Sequence, residues 1–170
     1  VALFSAETAS SLAWMVYLLE DPLDEGSPLI CDRVRREIDQ RILSPFLSRD
    51  DFGWMGLRST GRPNNWNPWI NSNVLAATLL LEEDRSRREQ LVAKVLRCLD
   101  RFFVPYPSDG SCDEGPSYWG RAGASLFDNL ELLYSASDGQ FDVYDDPAVR
   151  EIGRFIYRLQ IAGEAFVCVG

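Results

Sequence analysis

The chain has 170 residues, 46% of them hydrophobic and 25% charged, so it is a folded globular chain long enough for a real core, with one domain over 1–170 as the expectation. Its net charge of -9 argues against nucleic acid or an anionic membrane as partner, because phosphate binding needs basic patches. No apolar run approaches the roughly 20 residues that span a bilayer, and the absence of histidine excludes imidazole acid–base chemistry from within this chain.

Six helices are predicted in chain order. The first runs roughly from Ala6 to Leu19 and stops before the turn-rich "EDPLDEGSP". The second covers Leu29 to Leu47, with Ile30, Val34, Ile38 and Ile42 as its apolar stripe. A loop leads to the third, near Asn67 to Glu82. The fourth, Arg85 to Phe103, buries Val92, Val95, Leu96, Leu99, Phe102 and Phe103 and places Arg88, Lys94, Arg97 and Asp100 outside. The fifth covers Ser117 to Tyr134. The sixth starts at Pro147, reaches about Ile161, and buries Val149, Ile152, Ile156 and Leu159. "FDVY" near Phe141 carries the one strand signal.

Charge alternates between these helices. The second, fourth and sixth are one-faced, whereas the first, third and fifth are poor in charge and are expected to be buried on most sides. Inner and outer helices that alternate through short connections predict an all-α chain, a partial α/α toroid of about three helical hairpins. A plain bundle or solenoid is the alternative, but no fixed repeat supports a solenoid. The start at Val1 and the apolar end "FVCVG" lead to the expectation of a longer parent chain. Sixteen arginines and the single Lys94 supply the positive charge, read mainly as outer-helix ion pairs. Cys31, Cys98, Cys112 and Cys168 lie too far apart for metal-binding spacing, so no metal or other cofactor is expected.

One stretch resists a packing explanation: "GRPNNWNPWINSN", Gly61 to Asn73, holds five asparagines and two tryptophans. Pro68 suits a first helical position, which makes Asn67 the expected N-cap. Asn73 falls on the apolar stripe and is expected in the core. Asn65 is left as the free amide. Trp66 and Trp69 are core or sugar platforms. The fifth helix opens with "DEGPSYW", placing Tyr118 in its first turn. If helices one, three and five run parallel, these mouths share a rim, and helix N-termini there favour an anion.

"NNWNPWINSNVLAATLLLEED" followed by "DGSCDEGPSYWGRAGASLFDNL" resembles the heparinase II/III-like polysaccharide lyases, which include alginate lyases; the resemblance covers Trp54 to the end. It implies an α/α toroid followed by a β-sandwich that this chain lacks, β-elimination on uronic-acid-containing glycans, an anionic polysaccharide or oligosaccharide as partner, and a secreted or periplasmic setting. It also implies that Asn65 neutralises the substrate carboxylate and that Tyr118 acts as base or acid. Many members carry a histidine after the asparagine; here that position is Trp66.

The chemistry agrees with those roles. Abstracting a proton beside a carboxylate adds charge to an anion, and an amide donor such as Asn65 stabilises it. A phenol needs a nearby cation to serve as base, and Arg121 follows Tyr118 by three positions. Arg58, Arg62 and Arg121 are candidate carboxylate grips, with Trp66, Trp69 and Trp119 as further substrate contacts. Two other readings stay open. One is a noncatalytic glycan-binding toroid. The other is a glycoside hydrolase on the same scaffold, with Asp113 or Glu114 opposite Asp50 or Asp51.

Overall fold

A computed structural model describes residues 1–167, so Cys168 and the last two residues of the apolar C-terminal run lie outside the described part. The chain is all-α apart from one small hairpin, and among the described residues no helix is long and apolar enough to cross a membrane. The strand signal at "FDVY" is not realised. Instead β1 (Gln160–Ala162) pairs antiparallel with β2 (Ala165–Phe166).

Among the described residues eight α-helical segments replace the six expected, and prolines accompany the irregularities in the first two predicted helices. The first helix, α1, spans Leu3–Gly26 and runs on through Pro22, with Leu19 driven out of helical geometry (φ -130°, ψ 21°). Proline has no N–H and crowds the preceding turn, so the helix kinks there. The second predicted helix is α2 (Leu29–Ile38), a π-type turn (Asp39–Leu43) and α3 (Ser44–Ser48). Pro45 removes a ladder donor at that junction.

A loop with a 3₁₀ turn, Gly53–Met55, leads into α4 (Trp66–Leu81), and α5 spans Arg85–Phe103 as predicted. The fifth predicted helix is α6 (Gly115–Trp119) and α7 (Gly123–Ala136), broken between Trp119 and Gly123. The last helix, α8 (Pro147–Arg158), begins at an Asp146 side chain that accepts the Ala148 N–H at 2.8 Å.

The centre of the molecule is α4, which packs against α1, α5 and α7 and is buried around most of its circumference. It meets α1 along Leu3, Ala6, Ala9, Ala13 and Val16, a stripe of mostly small side chains that lets the two backbones approach closely. The expectation that α1 is buried on most sides fails. Its other face exposes Phe4, Trp14, Tyr17 and Leu18, because no element of the described chain covers it. Arg33, Arg97 and Arg154 are all exposed, as one-faced outer helices require.

Lys94 corrects the outer-face reading of α5. It is 1% exposed, donates to the carbonyls of Leu47 (3.1 Å) and Arg49 (2.7 Å), and pairs with Asp50 at 2.6 Å. A buried ammonium persists only when such partners replace water. Arg101, about two turns further along α5, donates to the carbonyls of Gly56 and Ser59, each at 3.0 Å. Two cations of one helix thus tie down the loop before α4.

Asn67 is not the N-cap of α4. Asn65 precedes the helix without a side-chain cap, and the Asn64 Oδ1 accepts the Trp66 N–H at 3.2 Å while its carbonyl accepts the Asn67 N–H at 3.0 Å. Asn67 lies fully inside, and its Nδ2 donates to Trp54 (3.0 Å), Met55 (3.2 Å) and Cys98 (2.9 Å) carbonyls. Asn73 is only half-buried and donates to the Trp69 carbonyl of its own helix at 2.8 Å. The core amides are instead Asn71 and Asn129; Asn129 crosses from α7 to the Pro68 carbonyl at 2.9 Å.

Asn67→Ala leaves buried carbonyls unpaired, each worth ~1–3 kcal/mol when orphaned, so urea denaturation is expected to show a marked loss of stability, with Asn73→Ala far milder. The hydrogen bond from Lys94 and its charge hold the Asp50 carboxyl below its ordinary 3.8. A carboxyl depressed in the fold stabilises it above the unfolded value and loses that contribution as pH falls through the folded one. Lys94→Met is expected to flatten the stability profile below pH ~4, read as urea midpoints between neutral and strongly acid pH.

Candidate functional site

The start of α1 (Leu3, Phe4), the start of α4 (Asn64, Asn65, Trp66, Trp69) and the α6 segment (Glu114, Ser117, Tyr118, Arg121) wall one open groove of about 690 Å³. Thus the two unusual sequence stretches, some fifty residues apart, meet on one face.

Asn65 is 3% exposed, and its Nδ2 donates to both oxygens of Glu114, at 2.8 and 2.9 Å. The amide is therefore not free, as the sequence had suggested; it holds a carboxylate already. Helix-terminal N–H groups do not do this work. In the first turn of α4 the Trp66 and Asn67 donors go to Asn64, Pro68 has none, and the Trp69 N–H bonds the Asn65 carbonyl at 3.3 Å. The Glu114 carboxylate at this mouth is held by a side-chain amide instead.

Glu114 owes its place to the loop before α6. Gly110 (φ 74°) packs so closely on the Glu151–Ile152 backbone of α8 that any side chain would collide with it. Arg62 bonds Asp113 at 2.7 Å and lies over the rings of Tyr106 (5.0 Å) and Phe102 (5.7 Å). Burial pushes the Tyr106 phenol and the adjacent Cys112 thiol up, keeping both neutral behind the loop.

The predicted residues separate into two groups. Asn65, Tyr118, Trp66, Trp69 and Arg121 share the groove. Tyr118 is 54% exposed and Trp66 44%, so the phenol and one indole are open to a ligand. Trp69 is partly taken: its Nε1 donates to Glu7 at 3.2 Å, and the Arg121 guanidinium sits 4.0 Å from its ring centroid. Arg121 also pairs with Glu7 at 3.6 Å, so it is oriented by α1 as well as by its own segment.

Arg58, Arg62 and Trp119 do not join them. Arg58 is an exposed loop residue outside the groove, near Asp50 and Asp51. Arg62 is spent on the Asp113 loop. Trp119 donates to the Ile152 carbonyl at 3.0 Å and lies flush on Gly123, a packing role rather than a substrate contact. The carboxylates offered for hydrolysis are scattered too: Asp50 serves Lys94, Asp51 is held by Arg49 at 2.9 Å, and Asp113 by Arg62.

Sequence reasoning underrated three participants. Glu114 was offered only as a carboxylate for hydrolysis, and no pattern tied it to Asn65. Glu7 lies sixty-odd positions from Trp69. Asn64 was overshadowed by the Asn67–Pro68 pair, whose cap-like spacing was misleading.

Gly123→Ala would press a methyl into the Trp119 indole and is expected to cost ~1–3 kcal/mol in urea unfolding, as overpacking does. Tyr118→Phe removes a hydroxyl without a partner and should stay within ~0.5 kcal/mol of the parent. In comparisons with known proteins, no family model matches this chain, and no curated protein matches it.

Proposed function

We propose that the groove binds a uronic-acid-containing glycan and that the chain is the helical part of a polysaccharide lyase acting by β-elimination. In this reading α1, α4 and α7 form the inner layer and α2, α5 and α8 the outer layer of a partial α/α toroid. The pairings of α1 with α2, α4 with α5 and α7 with α8, with α4 between α1 and α7, support that layering.

The observation that carries the functional reading is the buried Asn65 amide donating to both oxygens of a carboxylate at the groove. A substrate carboxylate that takes Glu114's place there would receive the same two bonds. They strengthen as charge develops on the enolate, which is the differential stabilisation catalysis requires. Tyr118, exposed on the same groove, is the group that moves a proton. Arg121 supplies positive charge to an otherwise acidic molecule, and Trp66 offers an apolar face to the sugar ring.

A noncatalytic glycan-binding role is the second reading. It is favoured by one observation: the chain has no histidine, and Trp66 stands where the resembled family often carries one. Elimination then rests on Tyr118 alone and is expected to be slow, so binding is the first readout. Calorimetry with glucuronate oligosaccharides is expected to show binding that Asn65→Ala abolishes and Tyr118→Phe spares. Ultraviolet absorbance of an unsaturated uronide reports elimination, which each substitution should cut by about 100-fold or more. Binding without that product selects the noncatalytic reading. A saturated, hydrolysed product or no uronate binding overturns the lyase reading.

A further inference from the structure

A cavity of about 150 Å³ lies between α5, α7 and α8 and shares no lining residue with the groove. Its walls are Leu99 of α5, Leu126, Leu130 and Leu133 of α7, and Val149 of α8, all buried. Phe141 and Val143, from the stretch that joins α7 to α8, close it from one side. That stretch is pinned in place. The Phe141 N–H donates to the Ser137 Oγ at 2.8 Å, and Tyr144 stacks on Phe127 (centroids 6.4 Å apart) while its hydroxyl donates to Glu131 at 3.0 Å. The hollow is therefore built before any ligand arrives. An apolar cavity of this size stays dry and takes one benzene-sized ring, which supplies the dispersion contacts its lining lacks.

Two lining residues are charged, and both are carboxylates: Asp100 and Asp146. They are also the exposed residues of the lining, so they mark the mouth. Asp100 sits in the last turn of α5, where the negative end of the helix dipole adds to its charge. Asp146 spends Oδ1 on the Ala148 N–H at the start of α8, which offsets part of its charge and leaves Asp100 the stronger of the two. Nearby cations are engaged elsewhere, Arg101 on the Gly56 and Ser59 carbonyls and Arg150 with Asp145. A neutral ring gains burial alone from such a cavity, an anion meets like charge at the mouth, and an ammonium on a short tether gains both burial and attraction. We propose that this cavity is a binding site for a small primary amine bearing one aryl or short alkyl group, with the apolar group inside and the ammonium at Asp100 and Asp146. The site is independent of the glycan reading of the groove.

Calorimetry on the unmodified protein at neutral pH compares benzylamine, benzyl alcohol and benzoate, which are close in size and differ in charge. Benzylamine is expected to bind about fivefold or more tighter than benzyl alcohol, as an exposed ion pair helped by a helix terminus allows, and benzoate to bind weakest. Asp100→Asn, at an exposed position, should lower benzylamine to the benzyl alcohol affinity and leave benzyl alcohol unchanged. Methyl NMR on the unmodified protein should show benzylamine shifting Leu126, Leu130 and Leu133. Val143→Phe, which fills the cavity from its half-buried side, should abolish binding of both neutral and cationic probes. No benzylamine binding, or binding that leaves those leucine methyls unmoved, overturns the site even if Val143→Phe does not fold. Binding that survives Val143→Phe in a folded variant does the same. Equal affinity for benzylamine and benzyl alcohol, or no effect of Asp100→Asn, overturns the amine assignment.

Discussion

The buried amide of Asn67 fixes where α4 begins, and the groove depends on that position. Three backbone carbonyls converge on one Nδ2: two from the Gly53–Met55 turn and one from the middle of α5. An apolar side chain could not satisfy them, and a buried carbonyl without a partner is costly. With Asn67 anchored inward, the helical turn sets its neighbours: Asn65 and Trp66 face the groove, Trp69 meets α1, and Pro68 presents its carbonyl to Asn129 of α7. One interior amide thereby registers four parts of the chain around a single helix start.

Two cations of α5, one buried and one at the surface, likewise use backbone carbonyls as ligands. Lys94 and Arg101 project from α5 onto carbonyls of the segment between α3 and α4, so that segment is held without extensive regular structure of its own. Arg62 does the equivalent for the loop before α6 through Asp113. These cations are committed to architecture. That leaves Arg121, braced on Trp69 and Glu7, as the cation of the groove in a chain of net charge -9. A groove with one cation, one amide-held carboxylate and an exposed indole suits a ligand recognised by shape and hydrogen bonds more than by bulk charge.

Helix existence and type were legible because 3.6-residue periodicity and charge-free runs report burial directly. The span Arg85 to Phe103 shows this most clearly, since Asp84 caps its start by accepting the Arg87 N–H at 2.7 Å. The breaks at Leu19, at Asp39–Leu43 and at Gly120–Ala122 were less legible, because they depend on how prolines and a glycine–indole contact are accommodated in three dimensions. The outer face of α1 misled for a related reason. Absence of charge suggested burial, but burial requires a neighbour, and the described chain provides one on a single side.

In the site, sequence alone determined that amides and aromatics would crowd the mouth of α4, and it singled out Asn65 and Tyr118, which the fold brings to one groove. It also determined that none of these 170 residues supplies a histidine to them. Tertiary structure decided what each amide does. Local spacing made Asn67 look like a cap, yet its partners lie 12 to 31 positions away. Asn65 looked free, yet its partner lies 49 positions on. Capping and periodicity are set by bonds within a turn or two, which a sequence carries in its spacing. The partner of a buried amide is set by which distant backbone the folded core brings within about 3 Å, and no local pattern encodes that choice.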